Sequence, residues 1–255
     1  MRDFTKKSLG QNFLKSEIAL KKIIEAGEIK PDDIILEIGP GRGALTEKLL
    51  EKAGLVIAVE KDHELFEMLK EKFAIQINSS SLMLVHDDIL KFEINNYKMR
   101  NYKIIANIPY NITGAILKKF LTAKDQPSLM VLMVQREVAA RILARNGKES
   151  ILSVSVRAYG EPKKIMKVPA RYFSPAPKVD SAIIAIKNIS HRIFEENDID
   201  EEKFWKIVKS GFAHKRKKLS GNLKNLILCQ RDTLASLGNK RAEDLTLADW
   251  IALAK

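Results

Sequence analysis

The chain of 255 residues has a single cysteine, Cys229. One thiol cannot close an intrachain disulfide and offers no cysteine-based zinc site, so the expected setting is a reducing one, the cytoplasm. Histidine is also scarce. His63, His86, His191 and His214 are scattered without the spacing of a metal site, and no metal is expected. No apolar run approaches the roughly 18 residues of a membrane span, and residues 1–7 lead into no apolar core of a leader. A membrane is therefore not among the expected partners. There is no internal repeat and no low-complexity tract. Acidic residues are in deficit, 32 against 44 basic ones, for a formal charge of +12. That imbalance favours a polyanionic partner, because Lys and Arg neutralise phosphates and release their counterions. Hydrophobic residues make up 45%, enough for a real core in one large domain or in a medium and a small one.

What is present is a succession of strand-to-helix turns. Ser16 is placed to cap a first helix with Ile18, Leu20, Ile23 and Ile24 on one face, closed by Gly27 and Pro31. Residues 33–38 read as a buried strand running into Gly39-Pro40-Gly41-Arg42-Gly43 and a helix over 44–52. Strand, glycine turn and helix bring backbone close to a nucleotide-like ligand, and a Cβ on the glycines would block that approach. The spelling E-x-G-x-G-x-G, with Glu37 ahead of the loop, differs from the dinucleotide fingerprint. It suits a ligand without a pyrophosphate, such as S-adenosylmethionine, with Gly39 and Gly41 as loop contacts. The next strand, 55–60, ends in Glu60, roughly twenty residues past the loop, where an acid can accept from both ribose hydroxyls. Asp62 then begins a helix carrying Leu65, Met68 and Leu69. A third strand, 82–86, ends in Asp87-Asp88. An acid at this corner can accept from an adenine amine, and either of the two fits.

The fourth strand, 102–106, ends in Asn107-Ile108-Pro109-Tyr110, ahead of a helix over 112–121. Ligands bind at this edge of open α/β sheets. Proline fixes its own φ and keeps Ile108 out of the helical region, so the turn is stiff. It reads as the pocket for a base that receives a methyl group. The Asn107 side-chain oxygen and the Ile108 carbonyl would accept the two amine hydrogens, and Tyr110 would stack on one face. Beyond it come a strand over 129–134 and a helix over 136–144. Residues 153–156 alternate like a strand, and 165–168 are expected to pair near them. Two prolines stiffen the loop 173–181, whose Phe173 would close the other face of the base. Residues 182–186 make the last strand.

Five strand–helix units followed by a strand pair predict an α/β, Rossmann-like, doubly wound domain with an antiparallel edge, spanning 1–190 and including an N-terminal arm. Residues 188–202 read as a linker. Residues 191–255 read as a small all-helical domain, whose Lys215, Arg216, Lys217 and Lys218 are expected to touch phosphates.

Several stretches taken together resemble the rRNA adenine N6,N6-dimethyltransferase family of the KsgA type. They are residues 8–14 (SLGQNFL), 37–46 (EIGPGRGALT), 59–62 (VEKD), the Asp88 corner, 107–112 (NIPYNI), 135–139 (QREVA) and 173–181 (FSPAPKVDS), all in the family's order. The segment 212–219 (FAHKRKKL) resembles the family's F-x-x-R-R-K-x-L element. Departures fall at Thr113-Gly114 and at Glu149-Ser150, where the family has a Tyr-Gly pair. The resemblance implies S-adenosylmethionine as cofactor, held by Asn12, Leu14, Gly39, Glu60, Asp88 and Asn107, and it favours Asp88 over Asp87. It further implies N6,N6-dimethylation of two adjacent adenosines near the 3′ end of 16S rRNA in a pre-assembled small ribosomal subunit, by a monomer. The rival readings are an Erm-type enzyme of large-subunit rRNA and a non-catalytic ribosome-assembly factor.

Overall fold

The computed structural model describes residues 11–97, 101–144, 146–224, 226 and 229–255. Residues 6–10, the start of the expected arm, lie outside them. The chain divides into two compact units, Met1–Ala139 with Pro162–Ile189 and Ala140–Glu161 with Ser190–Lys255.

The first unit opens with a short β1 (Phe13–Leu14) and α1 (Glu17–Gly27). The Ser16 hydroxyl accepts from the Ala19 amide and caps α1 as expected. Ala19, Leu20 and Ile23 form the buried face, whereas Ile18 is 60% exposed, more than half a turn away from Leu20. α1 ends at Gly27 as expected, but the glycine is not its left-handed cap. The left-handed cap is Glu28, at φ 45°, and a Cβ on Gly27 would lie 2.5 Å from the Ile105 side chain. There follow β2 (Ile34–Ile38), α2 (Ala44–Leu50), β3 (Leu55–Glu60), α3 (His63–Lys72), α4 (Ala74–Asn78), β4 (Leu82–His86), β5 (Lys103–Asn107), α5 (Thr113–Leu121), β6 (Leu129–Gln135) and α6 (Arg136–Ile142). Asp62 caps α3 through the Glu64 and Leu65 amides. Four of the five expected strand–helix units are present. Between β4 and β5 the described residues form only a 3-10 turn, Ile94–Tyr97.

Next in the chain are α7 (Ile151–Arg157), β7 (Glu161–Val168), β8 (Phe173–Ser174) and β9 (Ser181–Lys187). The seven-stranded sheet has the order β4-β3-β2-β5-β6-β9-β7. The first five strands are parallel, and β9 runs antiparallel to β6, as expected for the edge. The central strands are buried on both faces, which explains their unbroken apolar spelling. From β2 the chain moves outward through β3 and β4, then returns to β5 on the other flank of β2. That reversal is the switch point at which open sheets bind ligands. A separate two-stranded ribbon pairs β1 with β8, placing Leu14 opposite Phe173.

The alternating residues 153–156 are a helix, not a strand. Ser150 and Ser153 form a reciprocal capping box that starts α7. Ser153, which alternation would turn outward, is fully buried with its hydroxyl engaged in that cap. The family's departure at Glu149-Ser150 therefore falls on a helix start, where Glu149 also pairs with Arg157 at 2.7 Å.

The second unit completes itself with α8 (Arg192–Asn197), α9 (Glu201–Gly211), α10 (Leu219–Leu223), α11 (Arg231–Leu237) and α12 (Leu247–Ala254). Residues 140–161, expected in the first domain, belong here because of Tyr159. Its ring is buried beside His191, Phe194 and Trp205, and its hydroxyl donates to Glu201 while accepting from Trp205 Nε1 at 2.9 Å. The expected linker 188–202 contains α8, with Phe194 and Ile199 buried. Trp250, fully buried, stacks on Phe212.

Candidate active site

The switch point carries a cavity lined from the arm, the glycine loop and the C-terminal ends of β2 to β5. Asn12, Leu14, Gly39, Gly41, Glu60, Asp87, Asp88, Asn107, Ile108, Pro109 and Tyr110, all marked from the sequence, are on its wall.

The glycine loop holds its shape for reasons that are partly different from those expected. Gly39, Gly41 and Gly43 have φ of +65°, +61° and +80°, the left-handed region that an L side chain rarely enters. A Cβ on Gly41 would come within 3.0 Å of the Phe13 ring, and one on Gly43 within 2.6 Å of Phe73. The missing side chains thus admit two of the protein's own aromatic rings.

Glu60 is only 6% exposed. One carboxylate oxygen accepts from the Gly41 amide at 3.2 Å and the other from the Asp62 amide at 2.8 Å. The acid therefore buttresses the loop as well as facing the cavity, and burial pushes its carboxyl above the usual range. Glu37 lies deeper, at 1% exposure. It accepts from the Thr46 hydroxyl at 2.7 Å. Burial, aided by the nearby Glu60 charge, pushes its carboxyl up to about 8. In the sequence Glu37 is only part of a spelling; its burial with a single hydroxyl donor from α2 cannot be read there.

Both acids of the β4 corner reach the cavity. Asp87 accepts from the Asp88 amide at 2.7 Å. Asp88 accepts from the Leu90 amide and pairs with Lys61 Nζ at 2.9 Å, and that ammonium holds its carboxyl below the usual range. Nothing in the sequence singles out Lys61 for this pairing.

Across the cavity, half-buried Asn107 donates from its amide nitrogen to the Asn12 carbonyl at 3.2 Å. Pro109 has φ −60° and leads into a 3-10 turn over Tyr110–Ile112. The Tyr110 hydroxyl shares a 2.5 Å hydrogen bond with Ser181 Oγ, at the fully buried start of β9. Burial raises the Tyr110 phenol above its usual range. Sequence reasoning passes over Ser181 as the partner of Tyr110, although it closes the 173–181 motif.

Phe173 is a correction. Its ring is 2% exposed, packed in the core with Leu14, and is not on the cavity wall. Pairing with β1 fixes its backbone there, opposite Leu14 of the arm. Lys215, Arg216, Lys217 and Lys218 lie in the helical unit, on an exposed turn between α9 and α10. Lys218 is held by Asn239 at 3.0 Å.

A family model, ribosomal RNA adenine dimethylase, matches residues 2–255. The chain belongs to that family. The ribosomal RNA small subunit methyltransferase A of Dehalococcoides mccartyi is 42% identical, over 96% of this chain and 86% of that protein. The protein of the same name from Fusobacterium nucleatum is 40% identical, over 98% and 96%. Among solved structures, a dimethyladenosine transferase from Plasmodium falciparum superposes with a TM-score of 0.80 at 28% identity, covering 94% of this chain and 95% of that one. The 23S rRNA methyltransferase ErmE gives 0.74 at 27%, covering 95% and 98%.

As an rRNA adenine dimethylase the chain is a methyltransferase that uses S-adenosylmethionine. The cavity fits that cofactor: Glu60, Asp87 and Asp88 line it with carboxylate acceptors for hydroxyl and amine hydrogens. When bound, the cofactor supplies an electrophilic methyl group. The chain's own work is positioning. Glu60 at the end of β3, the acids of the β4 corner and the β5 turn line one cavity and are the groups that would hold the cofactor and its acceptor.

Proposed function

We propose that the chain dimethylates N6 of two adjacent adenosines near the 3′ end of 16S rRNA, acting in the cytoplasm as a monomer on a pre-assembled small subunit. The name carried by its 40–42% identical relatives supports the small-subunit substrate. Among the described residues no helix is long and apolar enough to cross a membrane, and the +12 charge suits an rRNA partner.

The observation that carries the catalytic reading is the β5 turn. Asn107, Ile108, Pro109 and Tyr110 face the same cavity as Glu60 and Asp88, with the Asn107 amide nitrogen already committed to the arm. Its oxygen and the Ile108 carbonyl take the amine hydrogens, which favours a pyramidal nitrogen with its lone pair free to attack. Tyr110, anchored through Ser181, offers a face to a base taken out of its stack. Asn12, Leu14, Gly39, Gly41, Glu60 and Asp88 hold the cofactor. Phe173 pairs with Leu14 across the β1–β8 ribbon.

The test is transfer of labelled methyl from S-adenosylmethionine to under-methylated small and large subunits, with nucleoside analysis. N6,N6-dimethyladenosine confined to small-subunit rRNA is the expected result. Label in the large subunit would move the chain to the Erm-type reading, which the ErmE likeness keeps in view. No label on either would overturn both.

A further inference from the structure

A side-chain amide has a donor end and an acceptor end, and an acceptor role for Asn107 needs something to choose between them. In this fold the choice falls to the Asn12 carbonyl, which takes the Asn107 N–H at 3.2 Å. The reverse orientation would set two oxygens against each other. The carbonyl belongs to the arm, so its position depends on what pins residues 11–14.

Two of those pins are side chains. Gln11 Nε2 donates to Asp62 Oδ2 at 3.0 Å. Asp62 is itself buried and fixed as the cap of α3. Phe13 lies beneath the Arg42 guanidinium, 4.5 Å from the ring centroid, and against the Gly41 backbone. A ring under a guanidinium at this distance is an attractive cation–π contact. Other pins are backbone: the β1–β8 pairing, and the Lys15 amide on the Tyr172 carbonyl at 2.8 Å. The segment is therefore strapped across the cavity from the head of α3, over the glycine loop, to β8, with the Asn12 carbonyl in its middle.

We infer that Gln11 and Phe13 are positioning residues for methyl transfer, holding the Asn12 carbonyl where it turns the Asn107 amide with its oxygen toward the target amine. The inference rests on the reading of Asn107 as the acceptor for that amine. It separates the strap from a simple cofactor clamp. A clamp changes only the concentration of S-adenosylmethionine needed, whereas a strap acting through Asn107 changes turnover once the cofactor is saturating.

The experiment compares kcat at saturating S-adenosylmethionine, with cofactor affinity measured by calorimetry, in Gln11→Glu, Phe13→Ala, Phe13→Tyr, Asn107→Ala and the double variant Phe13→Ala/Asn107→Ala. Circular dichroism melts check that each is folded. Gln11→Glu sets a carboxylate beside Asp62; Phe13→Tyr keeps the ring under Arg42. The expected result is a fall in kcat of about tenfold or more for Gln11→Glu and Phe13→Ala, with Phe13→Tyr close to the parent. Phe13→Ala should add nothing to the loss already seen in Asn107→Ala, the mark of two residues acting as a unit. A loss confined to the KM for S-adenosylmethionine, or full additivity in the double variant, would overturn the inference while leaving the role of Asn107 intact. Unchanged kcat in Asn107→Ala would instead overturn the reading on which it rests.

Discussion

Asn107 and Glu60 face one cavity from opposite walls, and their replacements should fail differently. Asn107→Ala removes an acceptor aligned with a hydrogen whose charge develops during transfer, so it should lower kcat by about 100-fold with cofactor affinity little changed. Glu60→Ala removes the proposed ribose acceptor together with the buttress of Gly41 and the Asp62 amide. It should raise the Kd for S-adenosylmethionine first, as read by calorimetry. Glu37 makes a separate residue-scale prediction. Folded, its carboxyl titrates at about 8 against an ordinary 4.5. Between those values the native state keeps a proton that the unfolded chain has released, so stability falls as pH rises through that window. Glu37→Gln keeps an acceptor for Thr46 but has nothing to titrate. Relative to the parent it should gain stability between pH 5 and pH 8, on the order of a few kcal/mol, in denaturant melts at the two pH values. A parallel pH dependence in both proteins would show that Glu37 does not carry the slope.

Elements whose two ends both leave a chemical mark are legible in the sequence. β2, β3 and β5 are apolar runs ended by glycine, acid or asparagine, and the structure places all three ends on one cavity. The Ser16 and Asp62 caps are legible for the same reason. What misleads is pattern without its partner. Residues 153–156 alternate, but a serine pair satisfies its own hydroxyls at a helix start. Phe173 has the right residue type, but its direction depends on pairing with β1, some 160 positions earlier in numbering. Tyr159 draws residues 140–161 into the helical unit through partners at 191–205. Long-range pairing of this kind leaves no local signal. The helix at 151–157 is open to a direct test. Ser150→Ala removes one half of the capping box and should cost about 1 kcal/mol of stability, seen as a lower melting temperature. A strand at 153–156 would be indifferent to that change.

At the scale of the whole molecule, the excess of positive charge has to be connected to rRNA by particular side chains. The turn carrying Lys215, Arg216, Lys217 and Lys218 is exposed between α9 and α10. Lys240 and Arg241 lie next to it in the same unit, because the Leu219 amide donates to the Lys240 carbonyl at 2.8 Å. If this cationic turn is the phosphate contact we propose, it positions the rRNA without reading bases, and its contribution should be electrostatic and salt-dependent. Replacing all four residues 215–218 by alanine should weaken binding to under-methylated small subunits most at low salt. It should also flatten the plot of log K against log salt by about 0.7 to 0.9 for each phosphate that is no longer neutralised. Cofactor affinity, which we propose is set in the other unit by Glu60 and its neighbours, should not move. An unchanged salt slope would place the rRNA-binding surface elsewhere on the chain. A changed slope with unchanged kcat at saturating substrate would show that the helical unit recruits the particle, while the β5 turn carries out the chemistry.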